Sequence, residues 1–187
     1  QASLGSASGG AQSNDATAGV FDLTITGGSH VIDSIQVDGI ADAGDKSFDA
    51  TATETSGYAS SGGANFLIGG GSLIINNDLT ANLSTYGIAA ASSGDRATLT
   101  VQNGATLDVT GNIDINTQAF NGNDTVISTG GSISVVTDNA SINAGGLFLD
   151  TSGAPNEQDF YSAPDEGKDF QAGDINLVAQ NGGTFTA

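Results

Sequence analysis

The chain has 187 residues, of which 21 are acidic and only 3 are basic, so its formal net charge is −18. Because it contains no Cys, it can form neither a disulfide nor a cysteine-ligated metal site. With only 3 basic residues, it also lacks the basic surface that nucleic-acid binding requires. No apolar run approaches the length of a membrane-spanning helix. Its 28 glycines and few large apolar residues leave two classes, a thin repetitive β fold or a disordered chain.

The N-terminal segment, residues 1–19, is rich in Gly, Ser and Ala and predicts a flexible arm. The sequence contains no Met, even at position 1, so we expect Gln1 to be the terminus left by removal of a signal peptide. A boundary drawn inside a longer chain is the alternative. From residue 20 to residue 187 the pattern predicts a single β domain of a secreted protein.

Strand–turn–strand patterns begin at Val20. Residues 21–26 alternate apolar and polar side chains, two glycines follow, and a second apolar run covers residues 31–37. Such alternation between glycines is typical of two strands joined by a turn. Similar patterns recur at 66–83, 97–115, 125–142 and 174–186. We expect the turns at Gly27, Gly70, Gly104, Gly130 and Gly182. Their uneven spacing indicates insertions of varied length between units.

Two stretches, 41–65 and 151–173, break the strand pattern with acidic and small residues, and we interpret both as loop insertions on the scaffold. No segment spaces its apolar residues as a helix would over three turns, so we expect almost no helix.

The repeated short strands predict an all-β fold, and within that class a β-solenoid of the parallel β-helix type. In a solenoid each coil covers the apolar side chains of its neighbours, so a narrow fold is stable with few large apolar residues. Gly and Asn suit its corners because they tolerate positive φ. A β-sandwich with strand exchange is the alternative, since it also consists of short strands joined by turns.

The segment ATLTVQNGATLDVTGNIDI, residues 97–115, resembles the repeats of secreted bacterial β-helical surface proteins. Autotransporter passengers and filamentous-haemagglutinin-type adhesins are members of this group. The resemblance implies an exported, surface-exposed protein with a structural or adhesive role, and it transfers no catalytic residues. The chain is shorter than those adhesins and has neither their translocator barrel nor a sorting tail, so we expect a small complete subunit.

The last repeat stops soon after Gly183, and we expect it to expose unpaired backbone and an open apolar face. Contact with the start of a second copy would cover that face and propagate as a filament. Strand donation into a neighbouring sheet is a second way to cover it. The predicted assembly residues are Val20, Phe21, Leu23, Ile25, Ile175, Leu177, Val178 and Phe185.

Four carboxylates lie close together in the segment VDGIADAGDKSFD: Asp38, Asp42, Asp45 and Asp49. Oxygen ligands separated by small residues suit Ca²⁺, so these four carboxylates are candidate calcium ligands, and calcium is the one cofactor that the sequence suggests. A solvated acidic loop without metal is the alternative interpretation. Calcium would also reduce the repulsion between copies of so acidic a chain.

No catalytic constellation is evident, and we expect the protein not to be an enzyme. His30, the single histidine, directly follows a predicted turn, where polar residues are ordinary. We therefore predict a structural subunit of an extracellular bacterial filament or biofilm matrix at the cell surface, assembling head to tail by β-strand pairing or strand donation. Its expected partners are copies of itself and an extracellular polysaccharide. A monomeric adhesin or carbohydrate-binding β-helix module is the alternative function.

Overall fold

A computed structural model describes residues 16–42, 59–60, 62–87, 96–121, 128–155 and 170–187. Strands account for 66% of these residues, and there is no helix among them. The predictions of an all-β fold and of almost no helix are therefore confirmed for this part of the chain. No segment in it forms a helix long and apolar enough to cross a membrane.

The strands fall into five successive groups, which we call units 1 to 5. Unit 1 holds β1 (Ala16–Thr17), β2 (Phe21–Ile25), β3 (Ser29–Ile32), β4 (Ile35–Asp38) and β5 (Ala41–Asp42). Unit 2 holds β6 (Ala59–Ser60), β7 (Ala64–Ile68), β8 (Ser72–Ile75), β9 (Leu79–Asn82) and β10 (Thr85–Gly87). Unit 3 holds β11 (Ala97–Gln102), β12 (Thr106–Asn116) and β13 (Ala119–Asn121). Unit 4 holds β14 (Ser128–Thr129), β15 (Ile133–Asp138), β16 (Ser141–Asp150) and β17 (Gly153–Pro155), and unit 5 holds β18 (Phe170–Gln171), β19 (Ile175–Gln180) and β20 (Thr184–Thr186).

All strand pairs among the described residues are parallel, and each joins strands of neighbouring units. Sheet 1 has the order β2-β7-β11-β15-β19, and sheet 2 has the order β3-β8-β12-β16-β20, with β9 pairing both β4 and β12. Sheet 3 has the order β5-β10-β13-β17, and β1-β6 and β14-β18 form separate pairs. Sheets 1 and 2 therefore take strands from all five units, and the order across each sheet follows the order along the chain.

Residues that lie side by side in register, one from each unit, form what we call a column. Because side chains alternate along a strand, columns of a sheet point alternately toward the core and away from it. Two inward columns of sheet 1 are Phe21-Ala64-Ala97-Ile133-Ile175 and Leu23-Phe66-Leu99-Val135-Leu177. Their members in units 2 to 4 are at most 1% exposed. Full burial of such side chains contributes about 1.5–3 kcal/mol each, so stacking of units supplies the core.

The corner between sheets 1 and 2 requires left-handed backbone. Positive φ occurs there at Gly28 and Gly71 in units 1 and 2 and at Asn139 in unit 4. The turn predicted at Gly130 lies between β14 and β15, which belong to different sheets, so it is not equivalent to the other predicted turns, and the corner between sheets 1 and 2 in unit 4 lies at Asn139. Asn tolerates left-handed backbone, so it replaces glycine at this position. Gly130 has another role: a Cβ there would lie 1.8 Å from the carbonyl oxygen of Thr151.

The corner between sheets 2 and 3 repeats a side-chain hydrogen bond. The side-chain Oδ1 atoms of Asn82, Asn116 and Asp150 accept the backbone N–H two residues further on, at 3.2, 2.8 and 2.9 Å. Such bonds hold the chain in a tight turn. The corner motif is an Asn or Asp that returns in units 2, 3 and 4, and the sequence analysis did not identify it.

The predicted boundaries differ from those of the strands. The predicted insertion 41–65 contains β5, β6 and the start of β7, and the predicted insertion 151–173 contains β17 and β18. These short strands lack the alternation of longer ones, so the pattern did not reveal them. The described β structure also begins at β1, inside the predicted arm 1–19. The rest of the arm, residues 1–15, lies outside the described residues, as do 43–58, 61 and 156–169.

Candidate functional site

The outer sides of β2 and β3, which we call the first edge, expose apolar side chains. Val20 is 62% exposed and Phe21 is 37% exposed, whereas Leu23 and Ile25 are partly buried. In sheet 1, β2 pairs only with β7 among the described strands. The Phe21 ring lies 5.6 Å from the Phe66 ring between centroids, so one face of it packs on unit 2. The opposite side of the strand is open to solvent.

The outer sides of β19 and β20 form the corresponding last edge. Ile175 is 49% exposed and Leu177 is 52% exposed, and Val178 and Phe185 are partly buried. β19 pairs only with β15 among the described strands, and Phe185 packs against the core cluster. An exposed parallel edge of this kind offers its backbone groups to a further strand.

The exposure of these side chains follows from position rather than from residue type. Leu177 and Leu99 occupy the same column, but Leu99 is completely buried because units lie on both sides of it. All eight predicted assembly residues lie at the two edges. Six of them belong to inward columns: Phe21, Leu23, Ile25, Ile175, Leu177 and Phe185. Val178 belongs to an outward column, and Val20 precedes β2.

Outward columns are linked by side-chain hydrogen bonds between neighbouring units, which we call polar rungs. Asn65 Nδ2 donates to Asp22 Oδ1 at 2.8 Å, and Thr98 Oγ1 donates to Asn65 Oδ1 at 2.8 Å. At the other end of this column, Asn176 Nδ2 lies 3.5 Å from Ser134 Oγ. The sequence analysis missed these rungs, because the partners are far apart along the chain. The only signal in the sequence is a polar residue at alternate strand positions.

His30 occupies an unusual position at the first edge. It lies in the column of Leu73, Leu107, Ile142 and Phe185, which are apolar. Its Nε2 atom lies 3.0 Å from the carbonyl oxygen of Gly27, within the turn. The predicted exposed position beside a turn is confirmed, but the inward column was not foreseen.

The predicted calcium ligands are only partly described. Asp38 ends β4, is partly exposed, and accepts a hydrogen bond from Gln36 Nε2 at 3.1 Å. Asp42 ends β5, whereas Asp45 and Asp49 lie outside the described residues. Within the described ranges, no group of three or more His, Asp or Glu side chains could hold a metal ion. Calcium binding at 38–49 stays a prediction.

No protein-family model, curated protein or solved structure matches this chain. The resemblance of residues 97–115 to bacterial β-helical surface proteins therefore stays a prediction. That segment forms β11 and the greater part of β12, which lie in two different parallel sheets. The two edges are the candidate functional site, because they combine exposed apolar side chains with strand backbone available for pairing.

Proposed function

We propose that the chain is a β-solenoid in which each unit is one coil. The parallel pairing supports this interpretation, because a β-sandwich is built from antiparallel sheets. The order of strands supports it as well, since each sheet adds one unit after another in chain order. Columns that extend through all five units are what stacked coils would produce.

We further propose that the protein is a structural subunit of an extracellular bacterial filament or biofilm matrix. The observation that carries this proposal is the pair of edges: β2 and β19 end the same sheet on opposite sides and expose members of the same inward columns. Contact between the first edge of one copy and the last edge of another would bury both. Because each copy would have one edge of each kind, the contact would repeat and form a filament.

The charge of the chain suggests how assembly would depend on salt. No charged side chain is buried among the described residues, so the charges lie at the surface or outside the described ranges. A net charge of −18 opposes the approach of copies, and at 0.1 M salt screens the repulsion between charges that are more than about 10 Å apart. We therefore expect assembly to increase with ionic strength.

Negative-stain electron microscopy and light scattering of the full chain at low and high salt would test the proposal. The expected result is filaments of uniform width that become longer as salt is raised. The variant Leu177→Asn, which makes the last edge polar, should stay monomeric, and Thr100→Asn, on an outward column of unit 3, is the matched control. A native chain that stays at 18.4 kDa in every condition would contradict self-assembly.

A monomeric adhesin or carbohydrate-binding module is the second candidate. One observation favours it: Phe148 is 57% exposed on an outward column of sheet 2, beside Asp114 and in line with Thr80. An exposed aromatic ring near hydrogen-bonding groups can stack on a sugar. Binding of the monomer to polysaccharide, lost in Phe148→Ser, would support this candidate over the structural one.

A further inference from the structure

We propose that a second copy of the chain pairs its β2 in parallel with β19 of the first, in the register that sets Ile175 beside Phe21. This inference rests on the proposed function and adds the polarity and the register of the contact. Both follow from the columns, since the residues of β2 and β19 are already aligned with each other through units 2, 3 and 4.

The inward columns carry the first argument. If the register continues from unit 5 of one copy into unit 1 of the next, Ile175 lies beside Phe21, Leu177 beside Leu23 and Ala179 beside Ile25 of the second copy. Every one of these contacts is apolar on apolar, as it is between units 2 and 3. A shift of one residue would turn all inward side chains of one copy to the outside of the other. Burial of Asp22 or Asn176 in the core would then oppose that register.

A polar rung carries the second argument. Asp22 Oδ1 already accepts a hydrogen bond from Asn65 on its inner side, and a carboxylate has two acceptor oxygens. On the last edge, Asn176 belongs to the same column and is exposed. In the proposed register Asn176 meets Asp22 of the second copy and can donate to its carboxylate. The Asn-to-Asp rung would thus be made on both sides of Asp22.

Amide-to-carboxylate hydrogen bonds between neighbouring units recur within the molecule, and in one of them, from Gln118 Nε2 to Asp150 Oδ2 at 2.9 Å, the donor belongs to the earlier unit. Asn77 Nδ2 donates to Asp33 Oδ1 at 3.0 Å between units 1 and 2, and Asn143 Nδ2 donates to Asp108 Oδ1 at 2.6 Å between units 3 and 4. In both cases the donor belongs to the later unit, as in the pair Asn65–Asp22. In the proposed contact the donor belongs to the earlier unit. Asn176 of unit 5 in one copy would donate to Asp22 of unit 1 in the next copy.

Sheet 2 supplies a third argument. The same continuation sets Thr184 beside Ser29, which repeats the hydroxyl rung of Ser72 Oγ to Ser29 Oγ at 3.0 Å. It also stacks the Phe185 ring on the His30 imidazole. His30 is thereby matched with a flat aromatic partner in a column whose other members are aliphatic.

Cysteine cross-linking tests the register directly, because the native chain has no Cys. Neighbouring parallel strands lie about 4.8 Å apart, which is within the range of Cα separations that a disulfide spans. Mixing Asp22→Cys with Asn176→Cys under mild oxidation should give a covalent dimer, and the double variant should give a ladder of oligomers. Asp22→Cys mixed with Ser134→Cys is the matched control, since residue 134 lies in the same column one unit inside the edge.

The remaining outcomes separate this inference from the proposed function. A dimer of Asn176→Cys with itself would show that last edges pair with each other, which overturns the polarity. Faster cross-linking of Asp22→Cys with Val178→Cys would overturn the register. Filaments without any of these cross-links would overturn the inference and leave the proposed function intact. Neither filaments nor cross-links in any mixture would refute both.

A swap of the rung gives an independent readout. Asn176→Asp sets two carboxylates against each other and should weaken assembly more than Asn176→Ala, which should raise the concentration needed by roughly fivefold. The double variant Asp22→Asn with Asn176→Asp restores one donor and one acceptor. It should recover most of the lost assembly, and failure to recover would show that the two residues do not meet.

Discussion

Two leucines of one inward column, Leu99 and Leu177, should respond differently to the same truncation. Leu99 is completely buried between units 2 and 4, so Leu99→Ala should cost about 2–5 kcal/mol of unfolding free energy. Leu177 is 52% exposed, so Leu177→Ala removes only about half of a leucine's burial, about 1 kcal/mol. Urea unfolding followed by circular dichroism at low protein concentration, where copies are separate, measures both losses.

The same pair of variants should exchange ranks when assembly is measured. Once a second copy covers the last edge, Leu177 becomes as buried as Leu99, and its truncation should then raise the concentration needed for assembly by at least tenfold, equivalent to about 1.4 kcal/mol. A chain carrying Leu99→Ala, where it remains folded, keeps both edges intact and should assemble normally. Equal losses of stability for the two variants in the separated chain would refute the open edge, and normal assembly of Leu177→Ala would refute its role in the contact.

Three further predictions concern single positions. Thr137→Val should stabilise the chain by about 1 kcal/mol, because the buried Thr137 hydroxyl has no hydrogen-bond partner. Thr117→Val should destabilise the chain, because the Thr117 hydroxyl donates to the carbonyl oxygen of Gly131 at 2.9 Å. Thermal unfolding compares the stabilities of the two variants. Gly130→Ala should cost at least about 2 kcal/mol in urea unfolding, since its methyl would lie 1.8 Å from a carbonyl oxygen. Gly104→Ala, with nothing within 4 Å, should lose only about 1 kcal/mol through its positive φ. Calorimetric titration should detect calcium binding that Asp42→Asn weakens, and a native chain without any heat of binding would contradict the predicted site.

Alternation along the chain was sufficient to predict the long strands, but it did not place the turns between them correctly in every unit. Residues 21–26 and 97–101 alternate clearly, and they form β2 and most of β11. In unit 4 the predicted turn at Gly130 connects β14 to β15, and the corner between sheets 1 and 2 was missed because it uses Asn139 rather than glycine. The alternating runs 106–109 and 112–115 both belong to β12, which is continuous with an irregularity between Val109 and Asn112. A local irregularity and a turn have the same signature in the sequence.

The sequence was sufficient to predict the apolar side chains of the candidate site but not its polar rungs. Period-two alternation identifies inward side chains, so Leu23, Ile175 and Leu177 could be selected before their positions were known. The polar rungs depend on parallel register, which joins residues such as Asp22 and Asn65 that are 43 positions apart. Nothing local fixes that separation, because the units differ in length. The partners of Asp22 and Asn176 therefore emerge only from the three-dimensional arrangement.

The distribution of charge would direct growth along one axis. The exposed or partly exposed carboxylates of Asp22, Asp108 and Asp138 lie on outward columns of sheets 1 and 2, along the sides of the stack of units. Their repulsion opposes side-by-side contact of two copies, and lateral aggregation of edge strands is a hazard of open β folds. The inward columns at the two edges hold no carboxylate, and the one carboxylate of β2, that of Asp22, would accept a hydrogen bond from Asn176 of a second copy in the proposed contact. In the proposed filament, acidic sides and apolar ends would be complementary features, since the former would suppress lateral contacts and the latter would favour axial ones.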